Sequence, residues 1–283
     1  MNPIIQSGLA GVLLGLVVGC ASGPNRPFVP SLADQSGSVA TAGEFVWHDL
    51  VTPDAPSALS FYGDLFGWSF QSTADGYYKI YKEGSLVGGV VDGTQLGETP
   101  RSALWLNSIG TDDIALSLDR LEDAGGKALT AIAVLPNRGQ VVQVEDPEGA
   151  IVQLVQLDGE DRLPKPGVWI WHDLLTNDPE RSAQWYGEFS GIEAVPGARP
   201  DQYELVREGV VLATVSMSPF EETRSVWVPI LAVDDLRAAV EKVPGLGGRV
   251  VISPDDALSN GSIAVILDPS GGVFAIQYRE DME

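Results

Sequence analysis

The sequence is short of three residue types that carry much of protein chemistry: cysteine, histidine and the basic residues. The single cysteine is Cys20, and the two histidines are His48 and His172. Lys and Arg number 17 against 39 Asp and Glu, which gives a net charge of -22. Such a surface repels phosphate backbones and anionic lipid head groups. We therefore expect no nucleic-acid partner, and we interpret the acidity as a solubility feature.

Several short signatures of catalysis and ligand binding are also missing. The chain has no phosphate loop of the form G-x-x-x-x-G-K-[ST] and no strand-linked G-x-G-x-x-G. It has no D-x-[DN]-x-[DN]-G calcium loop and no G-x-S-x-G nucleophile elbow. The sequence thus gives no indication of a nucleotide-binding loop, an EF-hand or a serine-hydrolase triad.

A short apolar segment stands near the N-terminus, where residues 9–20 read LAGVLLGLVVGC. About a dozen residues are too few to favour a bilayer-spanning helix and fit a signal peptide better. The last four letters, VVGC, resemble the bacterial lipobox, in which the cysteine is diacylated and becomes the first residue of the mature protein. Once Cys20 is acylated, no thiol remains for a disulfide, a zinc site or a nucleophile.

This interpretation gives a signal peptide with lipobox at residues 1–20 and a flexible tether, rich in Pro, Ser, Gly and Ala, at residues 21–43. It predicts a lipid-anchored protein of the bacterial cell envelope, on the periplasmic face of the outer membrane, which contacts the membrane through its N-terminal lipid. Residues 1–8 contain no Lys or Arg, unlike most signal peptides. The alternatives are an uncleaved anchor, or a misassigned start before a cytosolic protein.

Both histidines lie inside the same four-letter word, WHDL, which occurs at residues 47–50 and again at 171–174, a spacing of 124. Further matches extend through the rest of the chain, so a whole folding unit is repeated rather than a tetrapeptide. The later matches have a spacing of 122: Trp105 with Trp227, Asp112-Asp113 with Asp234-Asp235, Gly126-Lys127 with Gly248-Arg249, and Asp146-Pro147 with Asp268-Pro269. A period this long indicates two modules that pack about a pseudo-twofold axis.

The first copy begins with a strand from Glu44 to Val51. A helix follows, for which Asp54 is the predicted cap, Pro56 suits the first turn and Gly67 is the stop. Short strands, a second helix over residues 111–124 and more strands complete the copy, and the second copy repeats the order.

Each module is therefore predicted to be a β-α-β-β-β unit followed by another. This is an α+β pattern with a mostly antiparallel sheet. A connector over residues 157–167, with Pro164 and Pro166, marks the boundary. The predicted modules span residues 44–160 and 161–283.

The segment from Phe45 to Trp68, together with the D-P-x-G turns at Asp146 and Asp268, resembles the vicinal oxygen chelate superfamily. That superfamily includes glyoxalase I, the bleomycin resistance proteins and the extradiol dioxygenases. The resemblance implies that paired β-α-β-β-β units form curled sheets around a cavity, with the helices outside. Two modules imply two cavities.

The resemblance also implies where a metal would be held in this superfamily. The first-strand ligand is a His or Gln seven residues before the Asp that precedes the helix, and a Glu lies four positions after the D-P-x-G glycine. These positions carry Trp47 and Gln153 in the first copy, and Trp171 and Ala275 in the second. Because tryptophan and alanine offer no lone pair to a cation, we favour no metal cofactor, although a divalent metal stays possible, held if anywhere by His48 and His172.

Neighbouring side chains on a strand point to opposite faces, so the histidines and the tryptophans beside them should separate. We expect His48 and His172 to face the helices as buried imidazoles, each hydrogen-bonded to a backbone carbonyl or a helix terminus. A ligand, catalytic or pH-linked role is the alternative, and it would require a local bulge to turn them inward.

The candidate ligand-binding residues lie on the opposite face: Trp47, Asp49, Gln153, Trp169, Trp171 and Asp173. A carboxylate among aromatic walls suits a small-molecule pocket and can act as a base or attract a cation. The alternative is that the indoles fill the sheet interior and the Asp residues cap helices.

Three functions follow, and whether the protein is an enzyme stays open. The favoured one is binding or sequestering of a small apolar or aromatic molecule without the usual metal centre. The second is a lyase or dioxygenase-type enzyme with an unorthodox site, for example His48, Asp49 and Gln153. The third is a non-catalytic scaffold with filled pockets. Either a monomer or a homodimer is compatible with the repeat.

Overall fold

The computed structural model describes residues 42–73, 76–96, 99–135, 138–156, 168–220, 224–256 and 261–278. The predicted signal peptide with Cys20, most of the tether and the predicted connector lie outside the described residues. Among the helices of the described ranges, none is long and apolar enough to cross a membrane.

The chain forms two sheets, one for each sequence repeat. Module one contains β1 (Phe45–Thr52), β2 (Ser69–Ser72), β3 (Tyr77–Lys82), β4 (Ser85–Asp92), β5 (Leu104–Gly110), β6 (Lys127–Ala128), β7 (Ala133–Leu135), β8 (Gly139–Glu145) and β9 (Ile151–Gln156). Module two contains β10 (Trp169–Thr176), β11 (Glu193–Pro196), β12 (Gln202–Arg207), β13 (Val210–Met217), β14 (Val226–Val233), β15 (Arg249–Ile252), β16 (Ile263–Leu267) and β17 (Val273–Tyr278).

Both sheets have the same topology. The first has the order β2-β3-β4-β1-β5-β9-β8-β6, with β7 paired to β8, and the second has the order β11-β12-β13-β10-β14-β17-β16-β15. The first strands of the two units, β1 and β5, pair antiparallel at the centre, and each is flanked by the parallel last strand of its own unit. The predicted α+β fold of tandem paired β-α-β-β-β units is confirmed. The sequence pattern does not reveal β2, because this short edge strand is mostly exposed and polar.

Four helices connect these strands: α1 (Ala55–Phe66), α2 (Ile114–Asp123), α3 (Pro179–Ser190) and α4 (Leu236–Lys242). The Asp54 carboxylate accepts a hydrogen bond from the Ser57 backbone N–H at 3.1 Å, and α1 ends at Gly67, as predicted. Asp178 caps α3 in the same way, through the Arg181 N–H at 3.1 Å. Side-chain caps thus place both helices directly after the central strands β1 and β10.

The helices cover one face of each sheet, which we call the helix face; the opposite face is the helix-free face. The two modules pack helix face against helix face. In one core cluster Phe61 of α1 lies with Leu236 of α4 and Phe274 of β17, and in the other Leu121 of α2 lies with Trp185 of α3. The helices are therefore outside each sheet, as expected, but they are buried between the modules.

A pair of glycines permits this close packing. A Cβ atom at Gly126 would lie 2.4 Å from the Trp185 side chain, and one at Gly248 would lie 2.6 Å from the Phe61 side chain. Both distances are shorter than van der Waals contact, so any larger residue would force the modules apart. Gly126 and Gly248 are equivalent residues of the two sequence repeats, with a spacing of 122. This match between the repeats therefore lies at the module interface.

Candidate functional site

The central strands β1 and β10 carry most of the predicted site residues, and their pleat divides these residues between two faces. Trp47 packs on the helix-free face of module one, whereas Leu50 packs among the helices. Trp171 likewise packs on the helix-free face of module two, and Leu174 packs among the helices. The indoles of Trp47 and Trp171 therefore point away from the helices.

On the helix-free face of module one, Asp49 is enclosed by hydrogen-bond donors. Arg138 donates to both of its carboxylate oxygens, at 2.6 and 3.2 Å. The Trp47 indole N–H and the Tyr77 hydroxyl donate to Oδ1 at 2.9 and 2.8 Å, and Arg138 also donates to the Tyr77 oxygen at 2.8 Å. With Asp49 only 2 % exposed and Arg138 only 1 % exposed, this network fills the centre of the face.

No motif or spacing in the sequence places Arg138 here, and this residue is the main one that the pattern missed. Burial lowers the pKa of its guanidinium, but attraction to Asp49 and Tyr77 outweighs burial and raises that pKa above its ordinary value. The pKa of Tyr77 is raised well above its ordinary value by burial and by the nearby Asp49 charge. Both shifts favour the forms that the network requires, a charged Arg138 guanidinium and a protonated Tyr77 hydroxyl.

Gly89 makes room for this network. It lies opposite Asp49 in the β1–β4 pair, and a Cβ atom there would lie 1.9 Å from the Tyr77 hydroxyl oxygen. In module two the residue opposite Asp173 in the β10–β13 pair is Thr214. At this equivalent position, Gly89 leaves space for the ion-pair network of module one, whereas Thr214 supplies a hydroxyl group in module two.

Asp173 has hydroxyl partners instead of a cation. Thr214 and Ser216 both donate to its Oδ1 atom, at 2.8 and 2.9 Å. The Trp171 indole N–H donates to the Thr214 hydroxyl at 3.0 Å, and Gln202 donates to the Ser216 hydroxyl at 3.2 Å. The two bonds to the carboxylate thus both end on Oδ1, and Oδ2 accepts no hydrogen bond from the described residues.

The environment of Asp173 also differs electrostatically from that of Asp49. Burial raises the pKa of Asp173, although the hydrogen bonds from Thr214 and Ser216 and the charge of the exposed Arg199 counteract it. Asp173 and Trp171 are half-buried, whereas Trp47 is 1 % exposed. Module two therefore presents a desolvated but accessible carboxylate beside an indole.

The remaining candidates on the helix-free faces are Gln153 and the position of Ala275. Gln153 is 4 % exposed and donates to the Ser108 hydroxyl at 3.1 Å. Ala275 is 1 % exposed and packs in the apolar cluster of module two. Within the described ranges, no group of three or more His, Cys, Asp and Glu side chains could hold a metal ion.

The two histidines meet at the pseudo-twofold axis between the modules. Their Nε2 atoms are 2.7 Å apart, so one imidazole donates its N–H to the other. Burial lowers the pKa of His48 to about 3, and burial together with His48 lowers the pKa of His172 well below its ordinary value. They face the helix side as buried neutral imidazoles, but the predicted backbone or helix-terminus partner is wrong, because each imidazole bonds to the other.

The structure corrects the predicted position of Trp169, which lies on the helix face rather than on the ligand face. The pairing of β10 with β14 shifts register between Trp169 and Trp171, and this bulge turns two residues that are two apart to opposite faces. Trp169 stacks on His48 at 4.1 Å between ring centroids, and Phe45 stacks on His172 at 3.7 Å. The four rings form two stacked pairs, which the hydrogen bond between the imidazoles joins across the module interface.

A cleft of about 230 Å³ opens at the edge of these stacked rings. Residues His48, His172, Trp169 and Trp171 line it, and Glu44 is the acidic residue on its wall. The enzyme site considered from the sequence is not assembled, because His48 faces this interface while Asp49 and Gln153 face the opposite side of the sheet.

Two matching relays connect the modules across the interface. The Trp105 indole donates to the Tyr62 hydroxyl at 2.8 Å, and this hydroxyl donates to Asp268 at 3.1 Å. The second relay runs from Trp227 through Tyr186 to Asp146, with distances of 2.7 and 3.2 Å. Burial raises the pKa of Asp146 to about 6, against the opposing effect of its backbone hydrogen bonds. The D-P-x-G aspartates thus serve the module interface.

Comparison with known proteins gives a match to a family model in each module. A model described as the glyoxalase/bleomycin resistance protein/dioxygenase superfamily matches residues 44–154, and one described as a glyoxalase-like domain matches residues 169–277. The chain is 29% identical over 244 residues to "Putative glyoxylase CFP32" of Mycobacterium tuberculosis, which covers 81% of this chain and 92% of that protein. It is 27% identical over 255 residues to "Anthracycline biosynthesis protein DnrV" of Streptomyces peucetius, covering 83% of this chain and 92% of that protein.

Solved structures show the same fold at low sequence identity. The Mn(II)-bound glyoxalase from Novosphingobium aromaticivorans superimposes with a TM-score of 0.58 at 13% identity, covering 85% of this chain and 83% of that chain. The 2,2',3-trihydroxybiphenyl 1,2-dioxygenase from Sphingomonas wittichii superimposes with a TM-score of 0.57 at 12% identity, covering 84% and 91% respectively.

Proposed function

Because this chain belongs to the glyoxalase/bleomycin resistance protein/dioxygenase superfamily through both of its modules, we propose that it binds a small molecule on the helix-free face of module two. The ligand lies between the Trp171 indole and the Asp173 carboxylate. Its body is apolar or aromatic, which suits the apolar cluster around Trp171. A relative named for anthracycline biosynthesis supports an aromatic ligand.

The observation that carries this proposal is the unequal state of two equivalent carboxylates. Asp49 has both oxygens bonded to Arg138 and is buried, so module one has no acceptor to offer. Asp173 has all of its bonds on Oδ1, and its side chain is half-buried. An unsatisfied, partly desolvated acceptor gains more from a ligand donor than a fully solvated one does.

The proposed binding does not use a metal, because the side chains at the expected metal positions do not fit one. Trp47, Trp171 and Ala275 have no atom that can coordinate a cation, so Gln153, whose amide nitrogen donates to Ser108, would be the one ligand among these four positions. Divalent metals serve relatives such as the Mn(II)-bound glyoxalase. We expect binding here to be unaffected by a chelator, in contrast to a metal-dependent site.

The test is a screen of neutral, cationic and anionic aromatic fragments by ligand-detected NMR. Hits should compete for one site per chain and should weaken about tenfold or more in Trp171→Ala and Asp173→Asn. Asp119→Asn removes an equal charge from the exposed surface of α2 and should leave the affinity unchanged. Fragments that bind equally to all four proteins, or no hits at all, would contradict the proposal.

Catalysis at the same site is the second candidate, and one observation favours it. Burial raises the pKa of Asp173, which brings a carboxylate closer to the range of a general base. Incubation of the bound fragments in deuterated buffer would reveal proton abstraction as loss of a carbon-bound proton signal. That proton exchange should disappear in Asp173→Asn. If the unmodified protein shows no exchange either, the site binds ligands without this catalysis.

We also propose that Cys20 is lipidated and holds the protein in the bacterial cell envelope, on the periplasmic face of the outer membrane. The support is the apolar segment of residues 9–20 that ends in this cysteine. Labelling of a bacterial host with an alkyne fatty acid should mark the full chain and not Cys20→Ser. Label retained in the variant, or absent from both proteins, would contradict lipidation at Cys20.

A further inference from the structure

Module one contains an internal occupant at the place where a ligand would lie in module two. The Arg138 guanidinium contacts both oxygens of Asp49, and its central carbon is 5.2 Å from the Trp47 ring centroid and 5.8 Å from the Tyr77 ring centroid. These distances are those of cation–π contacts. In module one, the Trp–Asp pair of the WHDL word therefore binds a planar cation, the guanidinium of Arg138.

Module two has the same pair in the same register. Asp49 lies opposite Leu106 of β5, and Asp173 lies opposite Val228, the corresponding residue of β14. Each Trp–Asp pair is on the helix-free face, and each carboxylate accepts from a neighbouring hydroxyl.

In the described residues of the second module, however, no Lys or Arg side chain is hydrogen-bonded or ion-paired to Asp173. Arg138 directly precedes Gly139, which has a φ of 76°, and its counterpart at a spacing of 122 is Gly261, with a φ of 81°. The residue before Gly261 is Asn260, which lies outside the described residues, and the sequence from 253 to 262 contains neither Lys nor Arg. The segment of module two that corresponds to Arg138 thus contains no residue that could supply a guanidinium.

We propose that module two takes from solution the group that module one carries in its own chain: an amidinium or guanidinium attached to an apolar or aromatic body. This inference rests on the proposed function and narrows it to one ligand class. The cation would donate to Oδ2 of Asp173 and lie against the Trp171 ring. The net charge of -22 favours the approach of such a cation.

Arg199 is the nearby cation that a ligand must compete with. It is exposed, and its charge acts on Asp173. Replacing it with alanine removes a like charge from the path of a cationic ligand. The variant Arg199→Ala should therefore bind a cation about two to five times more tightly than the unmodified protein.

The experiment compares three probes of nearly equal shape by calorimetry: benzamidine, benzamide and benzoate. Benzamidine should bind at least about tenfold more tightly than benzamide, and benzoate should not bind. Asp173→Asn should remove the preference by weakening benzamidine more than benzamide, whereas Asp119→Asn should keep the preference.

Each result separates this inference from the proposed function. Equal, Trp171-dependent binding of benzamidine and benzamide would overturn the cation inference and leave the binding site in place. If benzamidine binds Asp173→Asn as tightly as the unmodified protein, its binding reflects a general effect of the acidic surface, and the cation inference is overturned. Weaker binding of benzamidine by Arg199→Ala would also overturn the cation inference. If none of the probes nor any aromatic fragment binds, both proposals fail.

Discussion

The helix-free faces of the two modules begin with the same Trp–Asp pair and differ in what surrounds it. In module one the pair is buried, and Arg138 from the loop before β8 neutralises the carboxylate. In module two the pair is half-buried, and hydroxyl groups occupy only one of the carboxylate oxygens. One copy of a repeated motif has thus become part of the core, while the other stays partly exposed.

The interface between the modules shows the opposite behaviour, because it is nearly symmetric. The two Trp–Tyr–Asp relays, the two close-packed glycines and the paired imidazoles obey the same pseudo-twofold axis. These are also the positions at which the sequence repeats itself. The positions around the Trp–Asp pairs, by contrast, differ on the helix-free faces: Tyr77 against Gln202, Gly89 against Thr214, and Gln153 against Ala275.

The largest expected effect comes from removing the internal cation of module one. Arg138→Met leaves the Asp49 carboxylate buried without its ion-pair partner, which should cost about 3–5 kcal/mol of unfolding free energy. Urea titration would measure this loss. In the double variant with Asp49→Asn the stranded charge is gone, so the combined cost should be smaller than the sum of the single costs. Strict additivity would contradict a coupled pair.

The imidazole pair should make the shared interface sensitive to acid. The pKa of each imidazole in the folded state is below its unfolded value of 6.5, so the pair contributes its full stability above that value. Below it, the unfolded chain binds protons that the folded pair excludes, and stability should fall by about 2 kcal/mol between about pH 6.5 and about pH 5.5.

The control for this effect is the double variant His48→Phe with His172→Phe, which keeps stacked rings and removes the titration. Asp146 acts in the opposite direction, because its folded pKa of about 6 lies above its unfolded value and adds stability as the pH falls from about 6 to about 4. The difference between the two proteins isolates the imidazoles. Equal pH profiles of unfolding would show that the histidines do not titrate on unfolding as proposed.

A pair of tyrosine variants tests the symmetry of the interface. Tyr62→Phe and Tyr186→Phe each leave a buried indole N–H and a buried carboxylate without the shared hydroxyl, at a cost of about 1–3 kcal/mol. Chemical denaturation should give costs that agree within about 0.5 kcal/mol. A large cost for one variant and none for the other would break the symmetry.

The smallest effect is expected at the carboxylate of module two. Asp173→Asn keeps an oxygen that accepts from Thr214 and Ser216 and breaks no ion pair, so the unfolding free energy should stay within about 1 kcal/mol of the unmodified value. Differential scanning calorimetry would show this as a small shift in Tm. A loss as large as that of Arg138→Met would mean that Asp173 is a core residue like Asp49.

Much of this architecture could be predicted from the sequence, because its signals are local or periodic. The repeat gave the two modules, Asp54 and Gly67 gave the ends of α1, and strand alternation gave the opposite orientations of Trp47 and His48. Each of these depends only on neighbouring residues or on the spacing between the copies.

The rest depended on three-dimensional arrangements that no spacing encodes. Arg138 reaches Asp49 because of the path of a loop, and the two histidines meet because of how the modules pack. Trp169 was misplaced because one extra residue in a bulge reverses the alternation. A comparison of the two sequence copies shows that the positive charge of Arg138 is replaced by the neutral Asn260. It does not show that Asp49 is the partner of Arg138.

The most direct test of the central claim uses the indole N–H signals of the 7 tryptophans in a two-dimensional NMR spectrum. Trp47 and Trp171 are assigned through phenylalanine variants, and benzamidine or the best aromatic fragment is then titrated. The Trp171 signal should shift with ligand concentration while the Trp47 signal stays in place. A shifting Trp47 signal, or equal shifts of the two, would contradict a filled module one and an accessible module two.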